Sequence, residues 1–296
     1  MNAALLILPN FVLILVGLAL ARAFDYGRDF WEGLEKLVYY VFFPALLFRS
    51  LAIARIDFGQ AGWLVAAACA FTIAGFLLSL LARPIFGLDR QLHATGSQCG
   101  YRFNTYIGLA VAGSLFGSDG VALAALLLGV MIPLANLGAV AVLATHSERG
   151  FVSELVRHPL VLSCLAGFAW NVAGIPLPGF ADQTLALLGQ TALPAGLLSV
   201  GAAMRIERGQ GPVGAHVWWL AVKLLAVPAI AFALASAIGA PAMQAAVLVL
   251  CAALPTATNA YILAVRMTGD GRAVAAQVTV GTLLSMATLP AWMALV

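Results

Sequence analysis

The amino-acid sequence predicts an all-α membrane protein with ten transmembrane helices in two five-helix repeats of opposite orientation. Helices 4 and 9 are expected to break near the middle of the bilayer. Three observations predict this. Of 296 residues, 63% are hydrophobic and 9% charged, whereas a soluble domain carries about 25% charged residues to wet its surface. The chain divides into ten apolar runs of spanning length. A shift of 150 residues lays prolines and a glycine of the first half onto those of the second.

Composition excludes several classes. The net charge of +3 comes from 15 basic and 12 acidic residues spread between apolar runs, so no basic patch with interleaved aromatics marks a nucleic-acid partner. Cys69, Cys99, Cys164 and Cys251 all sit inside apolar stretches without ligand spacing and read as small core residues. No Lys or Arg precedes the first apolar run, so it reads as a span and not as a cleaved leader.

A spanning helix takes about 20 apolar residues to cross roughly 30 Å of hydrocarbon. That ruler gives spans near 3–22, 34–54, 60–82, 92–117, 120–145, 157–175, 182–203, 214–238, 242–267 and 273–295. The connections after the odd-numbered spans hold Arg22, Arg28, Lys36, Arg83, Arg90, Arg149, Arg157, Arg205, Arg208, Arg266 and Arg272; the other side receives Arg49 and Arg55. Basic residues accumulate in cytoplasmic loops. The expectation is a multi-pass protein of the inner (plasma) membrane with both termini outside the cytoplasm.

The 150-residue shift aligns Pro9 with Pro159, Gly17 with Gly167 and Pro44 with Pro194. It divides the chain into repeats 1–150 (spans 1–5) and 151–296 (spans 6–10). Five spans is an odd number, so the halves enter the membrane from opposite faces. Inverted repeats recur in secondary transporters, whose substrate sites lie at the midplane where discontinuous helices meet.

Two interruptions fit that description. Span 4 carries Arg102-Phe103-Asn104-Thr105-Tyr106 about half-way along, and span 9 carries Leu254-Pro255-Thr256-Ala257-Thr258-Asn259 at a similar depth. Proline cannot donate a backbone hydrogen bond and clashes with the preceding turn. Backbone groups freed at membrane depth are tolerated only against protein or a water-filled cavity. Half-helices starting after each break would offer amides and a partial positive end to an anion, with Thr105, Thr256, Thr258 and Asn259 adding side-chain groups. The competing reading is a pair of kinked helices joined by polar side chains.

No Asp or Glu falls in the middle of a span, while Arg102 and Lys223 lie deep. An intramembrane charge usually faces a cavity or a partner, and here a natural counter-charge is a transported anion. Arg102 has a second reading, pairing with backbone carbonyls, and Lys223 a second reading as a snorkelling side chain. Asn136 faces either the cavity or a neighbouring helix. His93 and His216 read as interfacial. No buried carboxylate relay exists to carry protons; no cofactor is expected, and sodium held by carbonyls at the breaks stays open.

Arg102-Phe103-Asn104-Thr105-Tyr106-Ile107-Gly108 and Leu254-Pro255-Thr256-Ala257-Thr258-Asn259-Ala260-Tyr261, followed by Gly269-Asp270, resemble the bacterial permease branch of the auxin efflux carrier family. That family is related to the plant PIN auxin exporters and includes proteins assigned as malonate transporters. The resemblance implies the following. Spans 1, 2, 6 and 7 form a scaffold domain, and spans 3–5 with 8–10 a transport domain with crossing helices 4 and 9. The fold is similar to that of bile acid/sodium symporters, and the protein is a homodimer joined through the scaffold. The substrate is an organic acid. The family often has a proline where this chain has Ala110, so span 4 is expected to be less sharply broken than span 9. The connection 146–158 is too short for regulation of the kind a long PIN loop allows.

The leading expectation is a transporter, not an enzyme, moving a small organic anion (a malonate-like or auxin-like carboxylate) across the lipid bilayer by alternating access. Arg102, Asn104, Thr105, Tyr106, Asn136, Pro255, Thr256, Thr258 and Asn259 are the candidate binding residues, and Lys223 a candidate for charge or coupling. The rivals are sodium-coupled symport and a non-transporting sensor. A membrane hydrolase lacks an acid–base or metal constellation.

Overall fold

The structure, a computed structural model, describes residues 3–24, 26–54, 58–143, 159–205, 211–268 and 271–296. Arg55, Arg149, Arg157, Arg208, Gly269, Asp270 and the 146–158 connection lie outside them. Among the described residues every regular element is a helix. In chain order these are α1 (Ala3–Ala23), α2 (Arg28–Leu37), α3 (Phe43–Ala52), α4 (Phe58–Leu80), α5 (Ala82–Phe86), α6 (Arg90–Ser97) and α7 (Thr105–Leu143). They continue with α8 (Pro159–Val172), α9 (Gly179–Ala202), α10 (Val213–Ala221), α11 (Val227–Ile238), α12 (Ala242–Ala253), α13 (Asn259–Thr268) and α14 (Arg272–Met293).

Among the described residues, six stretches are long and apolar enough to cross a membrane: Ala4–Ala23, Gly62–Phe86, Arg90–Ala139, Gly179–Ala202, Val213–Ile238 and Arg272–Met293. The protein is therefore a multi-pass membrane protein. The difference from the ten apolar runs has physical causes. Arg90–Ala139 takes in two runs, and within it α7 breaks at Gly117, whose φ of 61° is accessible to glycine. Run 9 is cut into α12 and α13. Run 2 opens with the charged turns of α2 and then widens into a π-helical turn over Val38–Phe42.

That widened turn has a cause in the sequence. Pro44 has no N–H to give to the carbonyl one turn earlier, and an extra residue in the turn accommodates the loss. The same device recurs at Val222–Ala226, just before Pro228. There the carbonyl that Pro228 leaves unmatched belongs to Leu224, and the Trp292 indole N–H donates to it at 2.9 Å.

The chain forms two compact units. The first comprises Met1–Ala61, Tyr106–Gly129 and Val152–Ala203. In it α1 packs along α9 and α3 along α8. Both crossings bring main chains into contact. A Cβ on Gly17 of α1 would strike the Leu198 main chain of α9, and a Cβ on Gly167 of α8 would strike the Phe48 main chain of α3. The two glycines are 150 residues apart, and so are the residues they press against. Small residues let membrane helices approach this closely. At the ends, Arg49 grips the Asp182 carboxylate through Nε at 2.7 Å and Nη2 at 3.2 Å. Asn171 closes α3 by donating to the carbonyls of Ala52 (3.1 Å) and Ala54 (2.7 Å).

The second unit comprises Gly62–Thr105, Val130–Phe151 and Met204–Val296. Two indoles organise its interior. Trp219 is fully buried with its ring over Gly96 and donates to the Ser79 carbonyl at 3.1 Å, while Trp218 donates to the Leu78 carbonyl at 2.9 Å. Both indoles thus donate to carbonyls of the last turn of α4, where the helical ladder runs out; the Leu78 carbonyl also accepts the Leu81 N–H at 3.3 Å. Around Trp219 pack Ala82, Cys99, Ala260, Ala264 and Val274. Cys99, Cys164 and Cys251 are buried free thiols and Cys69 is half-buried. His93 is buried, and the side chain of His216 lies 2.9 Å from the Gln277 amide nitrogen.

Candidate functional site

The candidate site lies in the second unit, where two helices stop and restart. The first helix, α6, starts with the Asp89 side chain accepting the Leu92 N–H at 2.8 Å. It tightens into a 3-10 turn over Gln98–Gly100. Tyr101 then takes φ −133°, ψ −18°, and residues 101–104 are unwound before α7 begins at Thr105. The second helix, α12, ends at Ala253, and Leu254 turns to φ −62°, ψ 139°. A residue preceding proline is driven out of the helical region into this extended one. Residues 254–257 are unwound, and α13 restarts at Asn259. Four residues lie between helices in span 4 and five in span 9, so span 4 is broken outright even without a proline. Without a proline, side-chain contacts hold it open.

The two unwound segments meet. The Asn104 N–H donates to the Pro255 carbonyl at 2.8 Å, and the Thr256 hydroxyl donates to the Cys99 carbonyl at 2.7 Å. Asn104 is 2% exposed and Thr256 3%. Main-chain groups that lost their helical partners therefore find them across the crossing, as burial demands.

Arg102 lies beside this crossing and is buried. Its Nη1 donates to Gln98 Oε1 at 3.2 Å and its Nη2 to Asn136 Oδ1 at 2.8 Å. A guanidinium has donors only, so each contact assigns the oxygen of its amide partner. Asn136 stands on α7, and its oxygen meets the guanidinium. Lys223 does not snorkel. It is 2% exposed and donates from Nζ to the Ala252 carbonyl at 2.9 Å, where α12 ends and carbonyls lack helical partners.

Arg102, Asn104, Asn136, Pro255 and Thr256 are thus drawn together around one crossing, with Lys223 at the end of α12 leading into it. Thr105 and Thr258 are half-buried at the starts of the two outgoing helices, and Asn259 is exposed. Tyr106 belongs to the first unit, where its ring stacks on Phe43 at 4.5 Å and 9°. Sequence reasoning passed over Gln98 and Tyr101, both buried with an unpartnered polar atom, Gln98 Nε2 and the Tyr101 hydroxyl. The available signal was a glutamine four residues before Arg102, one helical turn away, inside an apolar run. Chemically the crossing collects a buried guanidinium, hydroxyls, amides and the amino-terminal ends of two helices, a set that favours negative charge.

The profile of the family described as membrane transport protein matches residues 3–149 and 145–293. The chain belongs to this family, the auxin efflux carriers. A relative from Methanothermobacter thermautotrophicus named "Uncharacterized transporter" is 26% identical over 97% of this chain and 96% of its own length. A second, from Rhizobium meliloti and named "Putative malonate transporter", is 26% identical over 96% of this chain and 92% of its own. Membership makes this auxin efflux carrier homologue a membrane transporter and not an enzyme.

Proposed function

We propose that the protein carries a small organic anion, a mono- or dicarboxylate, by alternating access at the crossing of its two broken helices. The observation that carries this reading is the Asn104–Pro255 hydrogen bond, which joins the interruptions beside the buried Arg102 guanidinium. A cation, hydroxyls and helix amino termini in one buried place favour an anion over a cation. The relative named as a malonate transporter supports a carboxylate.

In this reading Asn104, Thr105, Thr256, Thr258 and Asn259 bind the substrate and Arg102 supplies the positive potential. The ten spans form inverted repeats, a view supported by the two glycine crossings that repeat at 150 residues. Spans 1, 2, 6 and 7 are the scaffold, and spans 3–5 with 8–10, which carry the crossing, are the transport domain. The test is uptake of labelled malonate into proteoliposomes. Wild type should accumulate or exchange it, and Asn104→Ala should lower the rate more than about tenfold, as loss of a hydrogen bond to a charged ligand does. Undiminished transport by Asn104→Ala would overturn the assignment of the Asn104 side chain to the substrate site.

A further inference from the structure

Gln98 is fully buried at the 3-10 turn that opens the first break, and its side-chain nitrogen has no hydrogen-bond partner. The amide cannot be turned over to relieve this. Its oxygen already accepts from Arg102 Nη1 at 3.2 Å, and a nitrogen in that place would set donor against donor. The N–H groups of Nε2 therefore stand next to the guanidinium with no acceptor to meet them. Leaving a buried donor unmatched costs about 1–3 kcal/mol, and such an orphan calls for an explanation, of which a missing ion is one.

The segment around it is firmly held. The Gln98 carbonyl accepts the Arg102 N–H at 3.0 Å, and the neighbouring Cys99 carbonyl accepts the Thr256 hydroxyl at 2.7 Å. A donor fixed this rigidly beside a cation is suited to an acceptor that carries charge. A carboxylate has acceptors alone and would satisfy Nε2 while neutralising Arg102. A metal ion or an ammonium group would meet N–H groups and a like charge.

We propose that Gln98 is a substrate-binding residue whose side-chain amide donates to a carboxylate oxygen of the transported anion, next to the charge of Arg102. This rests on the organic-anion reading and extends its site by one turn towards α6. Two variants separate binding from folding. Gln98→Met keeps the shape and removes the donor. Gln98→Glu keeps an oxygen for Arg102 but has no N–H to offer and places a negative charge where the ligand would sit.

Titration of detergent-purified protein with malonate and with acetate, next to ligand-free thermal unfolding, tests the proposal. Wild type is expected to bind at least one of these carboxylates. In Gln98→Met its Kd should rise about tenfold, and in Gln98→Glu further, while Gln98→Glu alone unfolds no earlier than wild type. If wild type binds and Gln98→Glu binds equally well, the Gln98 assignment is overturned and the carrier reading stands. If wild type binds neither carboxylate, both are overturned together.

Discussion

At the second interruption the chain carries its own instruction, because Pro255 pushes Leu254 to ψ 139° and α12 has to end. The first interruption has no proline between Arg90 and Leu109, yet it too is unwound, over residues 101–104. It borrows its stability. Arg102 is tied to Gln98 and Asn136, and the turn just before it is tied across the crossing by Thr256. One break is written locally, and the other exists only once its neighbours are in place. In a membrane this distinction matters, since any peptide group released from a helix has to be matched inside the protein.

The largest expected effect comes from attacking the borrowed break. Arg102→Met leaves the Gln98 and Asn136 oxygens without this donor and removes the buried charge, so malonate uptake should fall about a hundredfold. Hydrogen exchange should show amides 101–104 altered while those of α12 keep their protection. Equal disturbance of both segments would erase the contrast.

Pro255→Ala should act more weakly. The bond from the Thr256 hydroxyl to the Cys99 carbonyl and the Asn104–Pro255 main-chain bond survive it, so the second segment stays partly unwound and uptake drops about tenfold. A drop larger than that of Arg102→Met would reverse the ranking. The mildest change, Thr256→Val, strips the Cys99 carbonyl of its donor. It should reduce stability by about 1–2 kcal/mol, read from thermal unfolding in detergent, with the first break loosened more than the second.

The same contrast explains what could be read without coordinates. Membrane class and family were legible, the first from hydropathy and the second from the stretches 102–108 and 254–261. The position of the second break followed from one proline. The first was legible from Asn104 and Arg102, but its length was not, because the contacts that hold it come from Asn136 and Thr256, far away in the chain. Gln98 escaped notice for the same reason: a glutamine in an apolar run looks like helix glue until its partner is known. Two residues after Asn104 the chain has passed into the first unit, so the stacking of Tyr106 on Phe43 could not be read from its nearness to Asn104 in sequence. The count of apolar runs could not foresee a helix that widens at Val38–Phe42.

The glycines at 17 and 167 leave peptide planes resting directly on peptide planes. A seam of that sort has no side-chain layer that could swap rotamers and settle into a second arrangement, so it can hold or open but has no gradual give. Whatever moves when this protein works, α1 and α9, and likewise α3 and α8, are built to travel as welded pairs. A single methyl group introduced at either crossing would register as a wedge, not a cushion.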